Sequence, residues 1–278
     1  MGWHARLRLD YRRDAAGRCL GHAVHDGPLR VLKALYPEGP GVCHHVLVHP
    51  PAGLVGGDHL DVTLDLGAGS HALLTTPGAT RWYRSLGPEA AQTVQVQVGA
   101  GARLEWLPLE NLVYPGANAR SALRVALADD AAMMGWEITA LGLPAAGEPF
   151  SHGRLRQRLE IAGRWLDQAT IDAADRRLLD SPLGLAGRRV AGTLWLAWGT
   201  PPTRADADTA LTVARDVLAE PGPGEVLAGV SAVQPGVIVV RALAHRTEPL
   251  MQRLRAVRRA WRREVWALTG DEPRVWAT

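Results

Sequence analysis

The feature that most restricts the fold of this chain is a period of two in its apolar residues, repeated in short stretches that glycines interrupt. Residues 93–98 show it most cleanly: Val94, Val96 and Val98 fall on one face, Gln95 and Gln97 on the other. That is the pattern of a strand with one buried face. Through 42–49, Val42, His44, Val46 and Val48 alternate with Cys43, His45, Leu47 and His49, until Pro50 and Pro51 stop the strand. Gly56 and Gly57 turn the chain into 61–66, where Val62, Leu64 and Leu66 share a face, and 67–69 make the next turn before 71–76. The same reasoning predicts strands at 104–107, 123–127, 136–141, 155–161 and 237–243. Strands that recur about every ten residues, with no long helices between them, predict a mainly β domain and disfavour a doubly wound α/β fold. The 30 glycines and 19 prolines supply the turns such a chain needs.

Two helices are expected near the C-terminus. Residues 206–220 place Ala210, Leu211, Ala214, Val217 and Leu218 at helical spacing, and Pro221 ends the run. Residues 248–268 carry an apolar stripe of Leu250, Leu254, Val257, Trp261, Val265 and Leu268, an amphipathic helix. Arg253, Arg255, Arg258, Arg259, Arg262 and Arg263 cover its other faces and are expected to form a solvated surface. The sequence shows no internal repeat, and the loop 199–203 is the one candidate boundary, so residues 1–278 are read as a single domain.

Composition narrows the function classes. A net charge of +3 is too mild to indicate a nucleic-acid partner, and few aromatics interleave the arginines of the late helix. No apolar run is long enough to span a membrane, and the first 14 residues lack the apolar core of a signal peptide. The two cysteines, Cys19 and Cys43, do not make a disulfide framework and suit a reducing compartment. A cytoplasmic protein is expected. Phosphate-binding Gly-x-x-x-x-Gly-Lys, nucleophile-elbow Gly-x-Ser-x-Gly, His-Glu-x-x-His and Cys-x-x-Cys motifs are all absent from the sequence.

The richest constellation is Cys43, His44, His45, His49, Asp58 and His59. Thiolate and imidazole suit nickel, copper and zinc. On a strand Cys43 and His45 share a face and could share a metal, with His44 on the other. A buried apolar cysteine and solvated histidines fit the same residues. As an enzyme, the chain would be a metal-dependent hydrolase using Cys43, His45, His49 and Asp58, with an open position on the metal. Gly56-Gly57-Asp58 also reads as a plain turn. Glu105 and Glu110, flanking Trp106 and Pro108, read as ion-paired surface groups. Glu137 lies on the opposite strand face from Trp136 and Ile138, and would be functional if that face lined a polar interior.

In order, several segments resemble the UreD (UreH) family of urease accessory proteins. They are Gly27-Pro28-Leu29-Arg30-Val31, Leu35-Tyr36-Pro37-Glu38-Gly39, Cys43-His44, and His49-Pro50-Pro51-Ala52-Gly53-Leu54-Val55-Gly56-Gly57-Asp58. The stretch 73–85, Leu104-Glu105-Trp106-Leu107-Pro108, Gly135-Trp136-Glu137 and Gly147-Glu148-Pro149-Phe150 follow. Each is weak alone; in this order they are specific. The likeness is close over 20–165 and looser beyond. The chain departs from the family pattern at Ala52, where a glycine is usual, at Arg81, where a lysine is usual, and at Leu109-Glu110-Asn111, where Gln-Glu-Thr is usual.

The resemblance implies stacked short strands, β-helix-like, with two helices. It implies a non-catalytic protein that binds apo-urease and accessory partners of the UreF and UreG kinds, one of them a GTPase, with no nucleic acid or membrane partner. No tightly bound cofactor is expected, only Ni2+ in transit through an internal polar tunnel. Polar residues within the matched motifs make Asp58, Thr80, Glu110 and Glu137 the candidate conduit residues. Cys43, His44 and His45 are further metal-contact candidates. Trp266, one step off the late apolar stripe, is the candidate partner contact.

Overall fold

The computed structural model describes residues 2–222 and 224–277. The chain winds as a β-solenoid of about four turns, each passing through two facing sheets. The first turn holds β1 (His4–Arg13), its antiparallel partner β2 (Cys19–Asp26), the short β3 (Arg30–Val31), then β4 (Cys43–Val48) and β5 (Gly53–Leu54). The second runs through β6 (His59–Leu66), β7 (His71–Thr75) and β8 (Thr80–Trp82). The third repeats this with β9 (Ala90–Val98), β10 (Arg103–Leu107) and β11 (Asn111–Val113). The fourth has β12 (Asn118–Leu127) and the long β13 (Ala132–Leu143), which the two-residue β14 (Glu148–Pro149) borders before β15 (Arg154–Ile161). The turns stack in parallel register: His4, His59, Ala91, Arg120 and Arg156 form one row, and Cys43, Ala72, Leu104 and Met133 another.

Antiparallel strands finish both sheets. β16 (Trp165–Asp172) closes a seven-stranded sheet of order β16-β15-β12-β9-β6-β1-β2. The five-residue α1 (Arg176–Asp180) leads to β17 (Val190–Trp198), α2 (Arg204–Ala219), β18 (Val226–Gln234), β19 (Val237–Ala244) and α3 (Thr247–Glu264). These strands extend the second sheet in the order β18-β19-β17-β13. The architecture matches the expected stacked strands with late helices. α1, the strands β1, β2, β16, β17 and β18, and the short β3, β5, β8, β11 and β14 were not foreseen, and α3 ends at Glu264 rather than Leu268 because Ala267 enters the left-handed region at φ 52°.

The period of two sorts side chains into two cores. In β13 the odd positions Met133 and Leu141 face the other sheet, while Met134, Trp136, Ile138 and Ala140 face the helices. The inner core joins Leu7, Leu9, Leu64, Val96 and Val125 to Leu74, Leu104 and Trp195 across the sheets. Gly135 is required there: a Cβ would stand 2.3 Å from the Trp195 ring. The outer core packs Leu250, Leu254, Val257 and Trp261 of α3 on Leu194, Leu196 and Val240. Thr203 caps α2, accepting the Asp206 N–H at 3.2 Å, and the Trp261 indole donates to the Ala210 carbonyl at 2.8 Å, locking the helices together.

The arginine face of α3 differs from expectation. Arg258 and Arg262 are 1% and 2% exposed, turned into the sheet rather than to solvent. Glu105, expected at the surface, is fully buried and bonds both: Arg258 Nε donates at 2.8 Å and Arg262 pairs with its other oxygen. Arg262 also pairs with Glu38, which bonds His44 Nε2 at 2.7 Å, and His71 lies 3.3 Å from Glu105. The cause is parity. Glu105 alternates with Leu104 and Trp106 of the inner core, so it must point at α3, where an unpaired carboxylate would be untenable. Burial alone would raise its pKa, but Arg258, His71 and Arg262 hold it far below the usual carboxylate range.

Candidate functional site

The first three solenoid turns each have a corner where the chain leaves one ladder of the second sheet and enters a shorter one. The short ladder aligns Thr80, Asn111 and Thr139 in one row. Registered neighbours in a parallel ladder share a face. Thr139 belongs to the inward-facing set of β13, so this row looks into the space between the sheets. Two contacts agree with that orientation: Asn111 Oδ1 accepts the Trp82 indole N–H at 2.9 Å, and Thr139 Oγ1 accepts from Gln157 of β15, in the opposite sheet, at 2.8 Å. The row is a polar strip beside the apolar inner core.

Glu137 stands two residues before Thr139, on the same inward face. Its neighbours β10 and β11 break at this corner, between Leu107 and Asn111, whereas β13 runs through it. Ser121 of β12 donates to Glu137 Oε1 at 3.1 Å. A cavity of about 150 Å³ opens here, lined by Glu137, Thr139, Gln157, Asp167, Thr193 and Arg241. Arg241 closes one side through a 2.8 Å ion pair with Asp167 and a 3.2 Å bond to Thr193. Burial pushes the Glu137 carboxyl up to about 7, against hydrogen bonds from Gln157 and Ser121 that favour its charge; Asp167 adds to the rise.

At the other end of the row Thr80 borders a groove of about 170 Å³ with His49, Thr76 and Arg81. His49 Nε2 is buried there without a hydrogen-bond partner, and burial lowers the pKa of its imidazole. Sequence reasoning placed His49 in the Cys/His constellation and in the alternative hydrolase but not among the conduit residues; its strand parity with Cys43 and His45 was the signal that it faces inward.

The other candidates separate. Glu110 is partly buried beside Thr80, whose N–H its carbonyl accepts at 2.9 Å. Asp58 is 2% exposed and both its carboxylate oxygens are occupied, by the Trp3 N–H at 2.7 Å and the Val55 N–H at 2.9 Å. It clasps the N-terminus to the glycine turn, the plain reading of that motif. Cys43, His44 and His45 do not converge. Cys43 is a free, fully buried thiol, His44 points to the helix side and Glu38, and His45 Nδ1 meets the Tyr11 hydroxyl at 2.7 Å. Among the described residues, no three His, Cys, Asp or Glu side chains are placed to hold one metal ion. Trp266, expected to meet a partner, is 4% exposed, packed edge-on to His71 with centroids 5.7 Å apart and beneath Arg103. It offers no free surface.

The model of the family described as UreD urease accessory protein matches residues 4–277. The chain belongs to the UreD family of urease accessory proteins. It is 53% identical to the urease accessory protein UreD of Leptothrix cholodnii, 52% to that of Methylibium petroleiphilum and 49% to that of Variovorax paradoxus, in each case over the whole of both chains. Members of this family are maturation factors rather than enzymes. No helix among the described residues is long and apolar enough to cross a membrane.

Proposed function

We propose that this chain acts in the cytoplasm as a scaffold of urease maturation: it binds apo-urease together with accessory partners of the UreF and UreG kinds, and nickel passes through its interior. The observation that carries the reading is the polar row Thr80–Asn111–Thr139, which runs beside the apolar inner core from the groove at His49 to the cavity at Glu137. Buried polar groups cost stability unless paired, and apolar residues would pack this space better. A row of oxygen and nitrogen donors suits a divalent cation in transit, because scattered weak contacts admit the ion and also release it, where a closed cage would hold it. Glu137 supplies a carboxylate on the row's inner face, and Glu110 lies beside its Thr80 end. GTP hydrolysis belongs to the partner, since this sequence has no phosphate-binding loop.

The test is co-expression of apo-urease and the other accessory proteins with and without this chain, reading complex formation and nickel-dependent urease activity. Omitting the chain is expected to abolish both. Replacing Thr80 and Glu137 by alanine is expected to spare the complex and lower nickel loading. Full activation without the chain would refute the scaffold, and undiminished loading by the double variant would refute the conduit.

A further inference from the structure

The cavity at Glu137 already holds a cation, one that belongs to the chain. Cross-strand register sets Glu137 of β13 opposite Thr193 of β17, and Thr193 opposite Arg241 of β19. The three residues lie in one row on one face of the second sheet, with Arg241 two strand spacings, about 10 Å, from Glu137. From there the Arg241 side chain spans to the other sheet. Its guanidinium pairs with Asp167 of β16 at 2.8 Å, donates to Thr193 at 3.2 Å and stands 5.9 Å from the centroid of the Trp165 ring, also of β16. The cavity is thus lined by two carboxylates, Glu137 and Asp167, and by a single base. The Arg241 and Asp167 side chains are 55% and 30% exposed and form its mouth, while Glu137 lies at its inner end, held by Ser121 of β12.

Resting on the conduit reading above, we propose that Glu137 and Asp167 form a divalent-cation site in which Arg241 is the tethered resident cation, so that Arg241 determines which ions enter. An incoming ion must take the place of the guanidinium on Asp167. A monovalent ion brings no more charge than the group it displaces, and that group is also held by the Thr193 bond and the Trp165 ring. A divalent ion interacts twice as strongly with each carboxylate. Thr139, Thr193 and Gln157 line the same space, and their oxygens can complete its coordination. Arginine suits the role because its charge cannot be titrated away, and an ion pair this exposed is weak enough to open. Once displaced, the guanidinium swings to solvent on its flexible stem, yet it stays a competitor at high effective concentration and drives the ion out again. One side chain therefore both selects the ion and releases it.

The test titrates nickel chloride into the full-length, untagged chain by calorimetry, for the parent, Arg241→Met, Arg241→Gln and Arg241→Lys, each with and without Glu137→Gln. The part of the binding that depends on Glu137 reports the site. Both charge-free variants are expected to bind there roughly tenfold more tightly, or better, and Arg241→Lys to stay near the parent. At constant ionic strength, exchanging tetramethylammonium for potassium is expected to weaken that binding in the charge-free variants and not in the parent. In cells co-expressing apo-urease and the other accessory proteins, the charge-free variants are expected to lower nickel loading, because the ion is no longer driven out. A purely structural role for Arg241 does not produce higher affinity together with lower delivery. Equal Glu137-dependent affinity in the parent and both charge-free variants would overturn the proposal. So would a gain that survives Glu137→Gln, or potassium competition in the parent. The conduit reading fails separately: tighter Glu137-dependent binding with undiminished loading would keep the tethered cation and refute passage through this site.

Discussion

Glu137→Gln should make this protein more stable, and only above a definite pH. The carboxyl is ordinarily half-protonated at 4.5, and burial between the sheets moves that midpoint to about 7. At 1.36 kcal/mol per pH unit, the folded chain loses about 3 kcal/mol of stability across the window. The sign follows from proton binding. Between these two values the folded state holds a proton that the unfolded state has released, so the contribution is fully present below pH 4.5 and lost as pH rises through 7. Glutamine keeps the shape and can still accept from Ser121, but carries no charge to desolvate. Urea melts of parent and variant from pH 5 to 8.5 measure the difference. The curves should lie close together at the acid end and diverge until the variant leads by about 3 kcal/mol above pH 7.5. Lowered carboxyls such as Glu105 and Glu38 respond the other way, but they are common to both proteins and cancel. An offset that stays constant across the range would refute the claim that desolvation governs this carboxyl.

Glu105→Gln leaves Arg258 and Arg262 buried against a neutral amide, and a loss of about 3–5 kcal/mol is expected in urea melts. Ala52 sits at φ 64°, a left-handed conformation that favours glycine; Ala52→Gly should stabilise by up to about 1 kcal/mol, read as a raised melting temperature. Asp58→Ala removes a buried carboxylate that accepts from the Trp3 and Val55 N–H groups and should cost about 1–3 kcal/mol. Nickel loading per folded molecule should not change, and a selective loss of loading would restore Asp58 to the conduit.

The inward face of Glu137 was legible because it alternates with two large apolar residues, and alternation is what a strand writes into sequence. β1 is written as clearly, in Ala5, Leu7, Leu9 and Tyr11, but Arg6, Arg8, Asp10 and Arg12 between them made the segment read as a charged terminus. β17 was hidden for the opposite reason. Both its faces are buried, so 194–197 is a continuous apolar run with no period to find. Arg258 and Arg262 each follow a stripe residue by one position, Val257 and Trp261. Helical spacing reveals the stripe, but not that the sheet beneath offers Glu105 and Glu38 as partners. The row Thr80–Asn111–Thr139 was only partly foreseen. Its members come from three successive turns, and nothing local to any of them announces the register that aligns them.

The clasp between α3 and the first half of the chain also governs when the molecule can be finished. Arg262 meets Glu38 across 224 residues and Glu105 across 157. During synthesis both carboxylates leave the ribosome long before any guanidinium exists to receive them. Until then they stand on the exposed face of a sheet whose helical cover is still unmade, and such faces are prone to association. Closure therefore waits until Arg262 itself has been made, a property that protease protection of chains truncated before and after residue 262 would register. The interval between the synthesis of these carboxylates and closure is when a holding chaperone would matter most.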